Sequence, residues 1–289
     1  MKNSLEYILF ISLSLFTRVI GLRLSRKFAN VLAFIFFYLI RIRKEVVIEN
    51  LTFAFPDYSK EKIKSIAYQN FKSTCITLVE ILSLPWVKKE QVNSILSFDE
   101  PDLLISKFKE GNGLIVLSGH FGNWEYVATL GACILNVKFN VVVKPQRNPY
   151  VDRWMNNYRT KWDNEVIPLG PSIRNVYSVL ISKGILAMVA DQRGPEGSIK
   201  LEFFGRKTSV FTGPAILSLK SNAPLIFGIT IRQKDFSYKA YLNEISRDNL
   251  PEDYDEKVTV LSERILRHLE NFIRQYPEQW LWMHKRWKH

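Results

Sequence analysis

The chain has 289 residues, 47% of them hydrophobic and 24% charged, and its 40 Lys and Arg residues against 28 Asp and Glu residues leave a net charge of +12. This composition excludes a disordered chain and a fibrous protein, and two cysteines are too few for a disulfide-stapled scaffold. No uncharged apolar run reaches the roughly 18 residues of a clean transmembrane span, which excludes a protein with several spans. The positive surplus either meets a negatively charged partner or serves solubility.

The first fifty residues combine positive charge with apolar segments. They hold eight basic and three acidic residues, and two uncharged runs, residues 7–17 and 28–40, lie between the charges. Because Arg18 and Arg23 can extend toward the lipid headgroups, residues 5–24 are still able to cross a bilayer. We predict that residues 1–44 form a membrane anchor, inserted or lying in the interface, with two buried helices of a soluble domain as the alternative.

The two cysteines, Cys75 and Cys133, stand in apolar surroundings. We expect both to be reduced core residues, which suits a cytoplasmic location. They lack the spacing of metal ligands, and the sequence has no H-x₃-H pair. The sequence therefore predicts no metal site.

Beyond the anchor, helical and strand-like hydrophobic patterns alternate. A helical stripe covers residues 60–84 and ends at Pro85. Short apolar runs predict strands at residues 113–118, 139–144, 185–190 and 224–231. Helix-like stretches occupy residues 124–135, 150–163, 173–183, 212–221 and 258–272. This alternation predicts an α/β fold with a mixed, mostly parallel sheet flanked by helices, in a single domain over residues 45–289.

The most chemically informative sequence, GHFGNWE, follows the strand at 113–118. In open α/β sheets, ligands bind beyond the carboxyl ends of the strands. There His120 leaves the strand, and Glu125 lies in the first turn of the next helix. We expect the Glu125 carboxylate to reach the His120 ring and to hold one nitrogen protonated, so that the other acts as a general base. The alternative is a loop-capping histidine beside a salt-bridged glutamate.

A general base of this kind takes a proton from a substrate hydroxyl as that hydroxyl attacks an acyl carbonyl, which is worth roughly 10²–10⁴ in rate. The backbone N–H groups of Phe121, Gly122 and Asn123, near a helix N-terminus, are candidate donors to the oxyanion. No serine stands in a G-x-S-x-G turn, which favours direct transfer over an acyl-enzyme.

These residues resemble the signature of the late acyltransferases of lipid A biosynthesis, which belong to the lysophospholipid acyltransferase superfamily with its H-x₄-D/E motif. The likeness extends along most of the chain after the anchor. It includes Asn148-Pro149-Tyr150 with Asp152-Arg153 and Arg159, Asp191-Gln192, Phe203-Phe204-Gly205, Thr212-Gly213-Pro214-Ala215, Ala223-Pro224 and the closing residues 276–288.

The resemblance implies a glycerol-phosphate-acyltransferase-like fold and a membrane-associated enzyme of lipopolysaccharide biosynthesis on the cytoplasmic face of the inner membrane. Such an O-acyltransferase, of the lauroyl or myristoyl type, moves a fatty acyl chain from acyl carrier protein or acyl-CoA to a hydroxyl of a lipid A precursor. It implies catalysis by His120 and Glu125 without cofactor or metal. Two departures, at residues 163–164 and 193–197, leave other glycolipids, glycerol-phosphate lipids and amino-acid lipids open as acceptors.

Four further residues are candidates for substrate binding: Asn123, Arg159, Asp191 and Gln192. Arg159 is expected to bind a phosphate or to hold the active-site loop, with an ordinary surface arginine as the alternative. Asp191 ends a buried strand, where a carboxylate needs a partner, so we expect it to pair with Arg159 or to brace the pocket.

The tail alternates Trp280, Trp282 and Trp287 with basic residues that include Lys288. This pattern fits either a membrane-interface belt or packing of the C-terminal segment against the domain. No nucleic-acid motif supports nucleic-acid binding; the expected partners are the acyl donor, a glycolipid acceptor and membrane lipids. The non-enzymatic alternative, a catalytically silent basic membrane-binding protein, predicts that His120 and Glu125 lie apart or buried, with no cavity beside them.

Overall fold

The computed structural model describes residues 2–170 and 173–287, and within these ranges the chain forms ten α-helices and nine strands. The helices are α1 Lys2–Phe34, α2 Lys44–Ala54, α3 Lys60–Ser83, α4 Val92–Ile95, α5 Pro101–Lys109, α6 Trp124–Leu135, α7 Pro149–Arg159, α8 Ile173–Ile181, α9 Gly213–Ser221 and α10 Tyr254–Gln275. The strands are β1 Leu96–Phe98, β2 Leu114–Ser118, β3 Phe139–Val143, β4 Glu165–Pro168, β5 Ile185–Val189, β6 Lys200–Phe203, β7 Arg206–Ser209, β8 Leu225–Arg232 and β9 Tyr238–Glu244.

Seven of these strands form one sheet in the order β1-β9-β8-β2-β5-β3-β4. Strands β8, β2, β5, β3 and β4 run parallel, whereas β9 is antiparallel to β8 and carries β1 beside it. Helices cover the sheet, so the central strands are buried along nearly their whole length. The predicted α/β fold with a mostly parallel sheet is confirmed. Strands β6 and β7 form a separate hairpin.

Local sequence explains where the principal helices begin. The side chain of Ser59 accepts a hydrogen bond from the backbone of Lys62 at the start of α3, and Asp253 caps α10 in the same way. Asn148 caps α7, where proline occupies the first helical position. These caps place the helices that flank the site.

Helix α1 is the apolar N-terminal element. With the π-helical turn Ile35–Ile40 that follows it, it is the one described stretch whose length and composition suffice to cross a membrane. Many of its apolar side chains face outward; Leu9 is 74% exposed and Val19 84%. Gly21, with a φ of 74°, interrupts the helix with a backbone conformation that only glycine adopts readily.

Polar contacts join α1 to the rest of the chain. The Ser14 hydroxyl donates to the carbonyl of Leu82 at 2.8 Å, and Arg26 forms an ion pair with the fully buried Glu80 of α3 at the same distance. The sequence boundary at residue 44 coincides with the start of α2, but α1 is packed on the domain. The division into an anchor and a catalytic domain therefore stays a prediction.

Both cysteines are free thiols, as expected. Cys75 is buried on α3 and Cys133 is half-buried on α6. Burial raises the pKa of the Cys75 thiol to about 12, so this side chain stays protonated at neutral pH and behaves as a small apolar residue.

The tail tryptophans pack inward. Trp280, Trp282 and Trp287 are all buried, and they contact one another or the ring of Phe203. Lys288 lies outside the described residues. Packing against the domain, rather than a membrane-interface belt, therefore accounts for these three side chains.

Candidate active site

The register of two neighbouring strands brings His120 and Asp191 together. Strands β2 and β5 are parallel, and Ser118 at the end of β2 pairs with Val189 at the end of β5. His120 and Asp191 each follow two residues later, so both leave the sheet at the same edge. The His120 Nδ1 atom lies 2.7 Å from Asp191 Oδ1, and the His120 backbone N–H donates to Asp191 Oδ2 at 2.7 Å.

The charges of this pair shift both acid–base equilibria. Burial by itself lowers the pKa of His120, but the nearby charge and hydrogen bond of Asp191, together with the charge of Glu125, outweigh it and raise that pKa above its ordinary value. Burial raises the pKa of Asp191, but the charge of His120 and the hydrogen bonds from His120 and Trp280 lower it overall. The pair therefore stabilises an imidazolium–carboxylate arrangement.

The C-terminal segment completes this edge of the site. The Leu281 N–H donates to the carbonyl of His120 at 2.9 Å, and the Gly122 N–H donates to the carbonyl of Gln279 at 2.9 Å. The indole N–H of Trp280 donates to Asp191 Oδ2 at 2.7 Å. Sequence reasoning did not connect Trp280 with the site; its local pattern of aromatic and basic residues suggested only a surface or a packing role.

The predicted hydrogen bond between His120 and Glu125 is wrong. Both Glu125 oxygens accept instead from Arg159, at 2.6 and 3.0 Å, and both side chains are buried. Glu125 lies in the first turn of α6 and Arg159 in the last turn of α7, which packs against α6. The forked arginine N–H groups fit a carboxylate with two parallel bonds, whereas an imidazole offers one. Although burial lowers the pKa of Arg159, the Glu125 charge reverses that effect and raises it.

The same arrangement corrects two expectations for Arg159. It does not pair with Asp191, and it is not an ordinary surface arginine, because its side chain is only 6% exposed and each of its three nitrogens donates to Glu125 or Asn156. Through Glu125 it joins α7 to α6, and its binding of a substrate phosphate stays a prediction.

Two of the proposed oxyanion donors are already used. The Phe121 N–H donates to the carbonyl of Gly119 at 2.8 Å, and the Gly122 N–H is bound to Gln279. Gly122 has a φ of 54°, and a side-chain carbon there would lie 2.2 Å from the Thr230 carbonyl oxygen, so the turn requires glycine. The hydrogen bonds that form the tight turn beside His120 therefore occupy the N–H groups of Phe121 and Gly122.

Asn123 is fully buried, and its side-chain amide donates to Glu80 at 3.2 Å. This bond ties the turn to α3, and the role of Asn123 in substrate binding stays a prediction. Gln192, by contrast, is exposed directly after Asp191, and its role in substrate binding stays a prediction.

Two cavities border the His120–Asp191 pair. The first is mostly apolar; its lining includes Leu117, Asp191, Phe227, Ser262, Ile265 and Leu269. The second, a small recess, is lined by Ser73, Thr74, Thr77, His120, Gly122, Trp124, Gln279 and Leu281. Asp191 lines the apolar cavity and His120 lines the recess, which also carries the side chains of Ser73, Thr74 and Thr77, so each cavity touches one member of the pair.

Comparison with known proteins decides the family. A family model described as bacterial lipid A biosynthesis acyltransferase matches residues 3–289. The chain belongs to this family. This confirms the resemblance drawn from the sequence and shows that the protein is an acyltransferase, which uses an acyl donor and a lipid acceptor.

Individual relatives of this acyltransferase are distant. The lipid A biosynthesis palmitoleoyltransferase of Escherichia coli is 24% identical over 251 residues, which cover 85% of this chain and 79% of the relative. The lauroyltransferase of the same organism is 21% identical over 260 residues, with the same coverage. A phosphatidylinositol mannoside acyltransferase of Mycolicibacterium smegmatis is 24% identical over 151 residues, 50% of this chain and 49% of that protein.

Proposed function

We propose that this acyltransferase moves a fatty acyl chain from a thioester donor, acyl carrier protein or acyl-CoA, to a hydroxyl of a lipid A precursor, with His120 as general base. The observation that carries the proposal is the His120–Asp191 pair, in which Asp191 lines an apolar cavity and His120 lines a recess that carries hydroxyl side chains. No hydrogen bond joins His120 Nε2 to any residue in the described ranges, and the side chain is 22% exposed. That nitrogen is free to take a proton.

The reaction follows from the roles of the two imidazole nitrogens. Nδ1–H donates to Asp191, so the lone pair resides on Nε2. Nε2 removes the proton of the acceptor hydroxyl as its oxygen attacks the thioester carbonyl. The tetrahedral intermediate collapses, the carbon–sulfur bond breaks, and the imidazolium returns its proton to the leaving thiolate. Asp191 stabilises the imidazolium during this cycle without accepting its proton.

The linings of the two cavities suggest which substrate each one holds. We assign the acyl chain to the apolar cavity, where each buried methylene contributes about 0.8 kcal/mol. We assign the acceptor hydroxyl to the recess, beside the side chains of Ser73, Thr74 and Thr77. The relatives include both a palmitoleoyl- and a lauroyltransferase, so the family does not fix which acyl chain is transferred. We propose a lauroyl or myristoyl chain, as the sequence predicts.

We further infer that the enzyme acts at the cytoplasmic face of the inner membrane. The exposed apolar side chains of α1 suit insertion into a bilayer, and the net charge of +12 suits anionic headgroups, an acidic carrier protein and a phosphorylated acceptor. The alternative of a silent membrane-binding protein predicts that His120 and Glu125 lie apart or buried, with no cavity beside them. The two side chains do lie apart, with Glu125 bound to Arg159, but the recess beside His120 argues against this alternative.

The test supplies detergent-purified enzyme with labelled acyl carrier protein or acyl-CoA, in separate reactions, and offers a lipid A precursor, a glycerol-phosphate lipid and an amino-acid lipid as acceptors. Mass spectrometry identifies the acylated product. We expect the lipid A precursor to gain the acyl group. Another acceptor would replace the proposed one.

In the same assay, His120→Ala is expected to lower turnover by about 10³-fold or more, because the variant lacks the proposed proton acceptor. His268→Ala is the control, because His268 is a half-buried histidine on α10 that lines neither cavity. The melting temperature checks that both variants fold. Turnover by His120→Ala at the level of the control would end the general-base mechanism.

A further inference from the structure

The carboxylate of Asp191 receives three hydrogen bonds from two separate parts of the chain. The backbone N–H and the imidazole of His120 provide two of them, and the indole N–H of Trp280 provides the third, at 2.7 Å. Trp280 and the His120 backbone share Oδ2, which leaves Oδ1 for the imidazole. Across the described ranges, Trp280 is the side chain that bonds this carboxylate from outside the catalytic turn.

Both the backbone and the ring of Trp280 are firmly held. Its carbonyl accepts a hydrogen bond from the Asn70 side chain at 2.6 Å, and its backbone forms a β-bridge with Phe121. Its ring meets the edge of Trp282 at a centroid distance of 4.7 Å and packs on Phe203 at 5.9 Å. The N–H therefore points at Asp191 from a fixed position, in a region where a hydrogen bond to a charged group is strong.

The other side of the carboxylate is equally confined. A side-chain carbon at Gly119 would lie 3.3 Å from Asp191 Oδ2, so the carboxylate fits between this glycine and the indole. Trp280 is 3% exposed and lines neither cavity, which leaves it no surface for a substrate.

We propose that Trp280 is a positioning residue for acyl transfer, whose indole N–H holds the Asp191 carboxylate in the orientation that engages the His120 imidazole. This inference rests on the proposed role of His120 as general base. It assigns to the C-terminal segment a part in catalysis beyond packing.

Loss of the indole N–H has a predictable effect on the pH profile. A carboxylate with one donor fewer is more basic and holds the imidazolium more tightly, so the pKa of His120 rises. A smaller fraction of His120 is then neutral at a given pH, and the acidic limb of the kcat/KM profile moves to higher pH. The rate at saturation falls as well, because the carboxylate is no longer held in one orientation.

Other charged and titratable groups surround the pair, and the substitution leaves all of them in place. They come from α6, the loop after β5 and the C-terminal segment: Glu125, Arg193, His284 and Arg286. A shift in the profile therefore reports the lost hydrogen bond.

The experiment compares Trp280→Phe with Trp282→Phe in the complete enzyme. Trp282 is a matched control: it is fully buried two residues away, and its indole N–H donates to the carbonyl of Pro277 at 2.6 Å, not to Asp191. We expect Trp280→Phe to lower kcat about tenfold or more, with little change in the KM for the acyl donor or in that for the acceptor. The acidic limb of its kcat/KM profile should move to higher pH. Trp282→Phe should leave the acidic limb unchanged.

A second variant separates the N–H group from the shape of the ring. Site-specific replacement of Trp280 by 3-benzothienylalanine keeps the bicyclic ring and puts sulfur in place of N–H. This variant should reproduce the kinetic effect of Trp280→Phe at a wild-type melting temperature. Failure of this variant to fold would assign the N–H to stability and overturn the proposal.

The remaining outcomes are also decisive. Equal kcat values and pH profiles for the two phenylalanine variants would overturn the role of Trp280 while leaving His120 as the base, provided that His120→Ala is inactive. Full activity of His120→Ala would instead end the proposed role of His120 as general base, and with it the role that Trp280 is proposed to support.

Discussion

Two pairs of side chains, each joining a carboxylate to a nitrogen-containing group, flank the turn at residues 119–125, and they differ in exposure and in the hydrogen-bonding groups that they leave without a partner. His120 and Asp191 approach to 2.7 Å, and Arg159 and Glu125 to 2.6 Å. The histidine is 22% exposed beside the recess, whereas both members of the second pair are 6% exposed.

The difference lies in hydrogen-bonding capacity. Arg159 uses Nε, Nη1 and Nη2 within the protein, and both Glu125 oxygens are bound to it. His120 bonds Asp191 through Nδ1 and keeps Nε2 for a substrate. One pair therefore suits proton transfer, and the other suits the holding of two helices, although each consists of a carboxylate and a nitrogen base.

The largest effect that separates the two pairs is expected from Asp191→Asn. Removing the negative charge lowers the pKa of His120, so the acidic limb of kcat/KM moves to lower pH, opposite to the shift expected for Trp280→Phe. Turnover at the pH optimum should fall by roughly 10²–10⁴, because the imidazolium loses its counter-charge. Steady-state kinetics between pH 5 and pH 9 measure both quantities. An acidic limb that moves to higher pH would contradict the assignment.

The second effect concerns stability. Arg159→Met leaves Glu125 buried without a partner, which should lower the free energy of unfolding by about 3–5 kcal/mol in urea titrations. The double variant Arg159→Met with Glu125→Gln should recover part of that loss, because no buried charge then remains. The control, Arg267→Met, breaks an exposed pair with Glu263 and should cost less than about 0.5 kcal/mol. A stable but inactive Arg159→Met enzyme would return Arg159 to the substrate site.

The smallest effect is the pH dependence of stability. The raised pKa of His120 contributes stability that is present below the unfolded-state pKa and lost as pH rises through the folded-state value. The lowered pKa of Asp191 contributes stability that is present above its unfolded-state pKa and lost as pH falls through its folded-state value. The melting-temperature gap between wild type and Asp191→Asn should therefore be wider near pH 6 than near pH 9. A gap that widens toward pH 9 would reverse the assigned shifts.

The main elements follow from local pattern. Continuous apolar runs predicted strands at residues 113–118 and 185–190, found as β2 and β5, and the helix at 124–135 has the predicted bounds. Such runs predict strands well because both faces of a central parallel strand are buried, so nearly every residue in it is apolar. The helix expected over residues 150–163 ends at Arg159.

Other strands escaped notice for two different reasons. Strand β9 carries a readable alternation, with Tyr238, Ala240 and Leu242 buried between more exposed neighbours, and sequence reasoning overlooked it. Strands β1 and β4 have three and four residues, too few to show a period, and they form through pairing with the edges of a sheet that already exists.

The sequence by itself determined the α/β class, the position of the turn at residues 119–125 and the four residues of the two pairs. Only the tertiary structure decided which residue meets which. Glu125 is five positions from His120, yet the packing of α6 against α7 turns its carboxylate toward Arg159. Asp191 is 71 positions from His120, yet the register of β2 and β5 brings the two within hydrogen-bonding distance. Proximity along the chain limits where a side chain can be, but its partner is set by the non-local register of strands and the packing of helices.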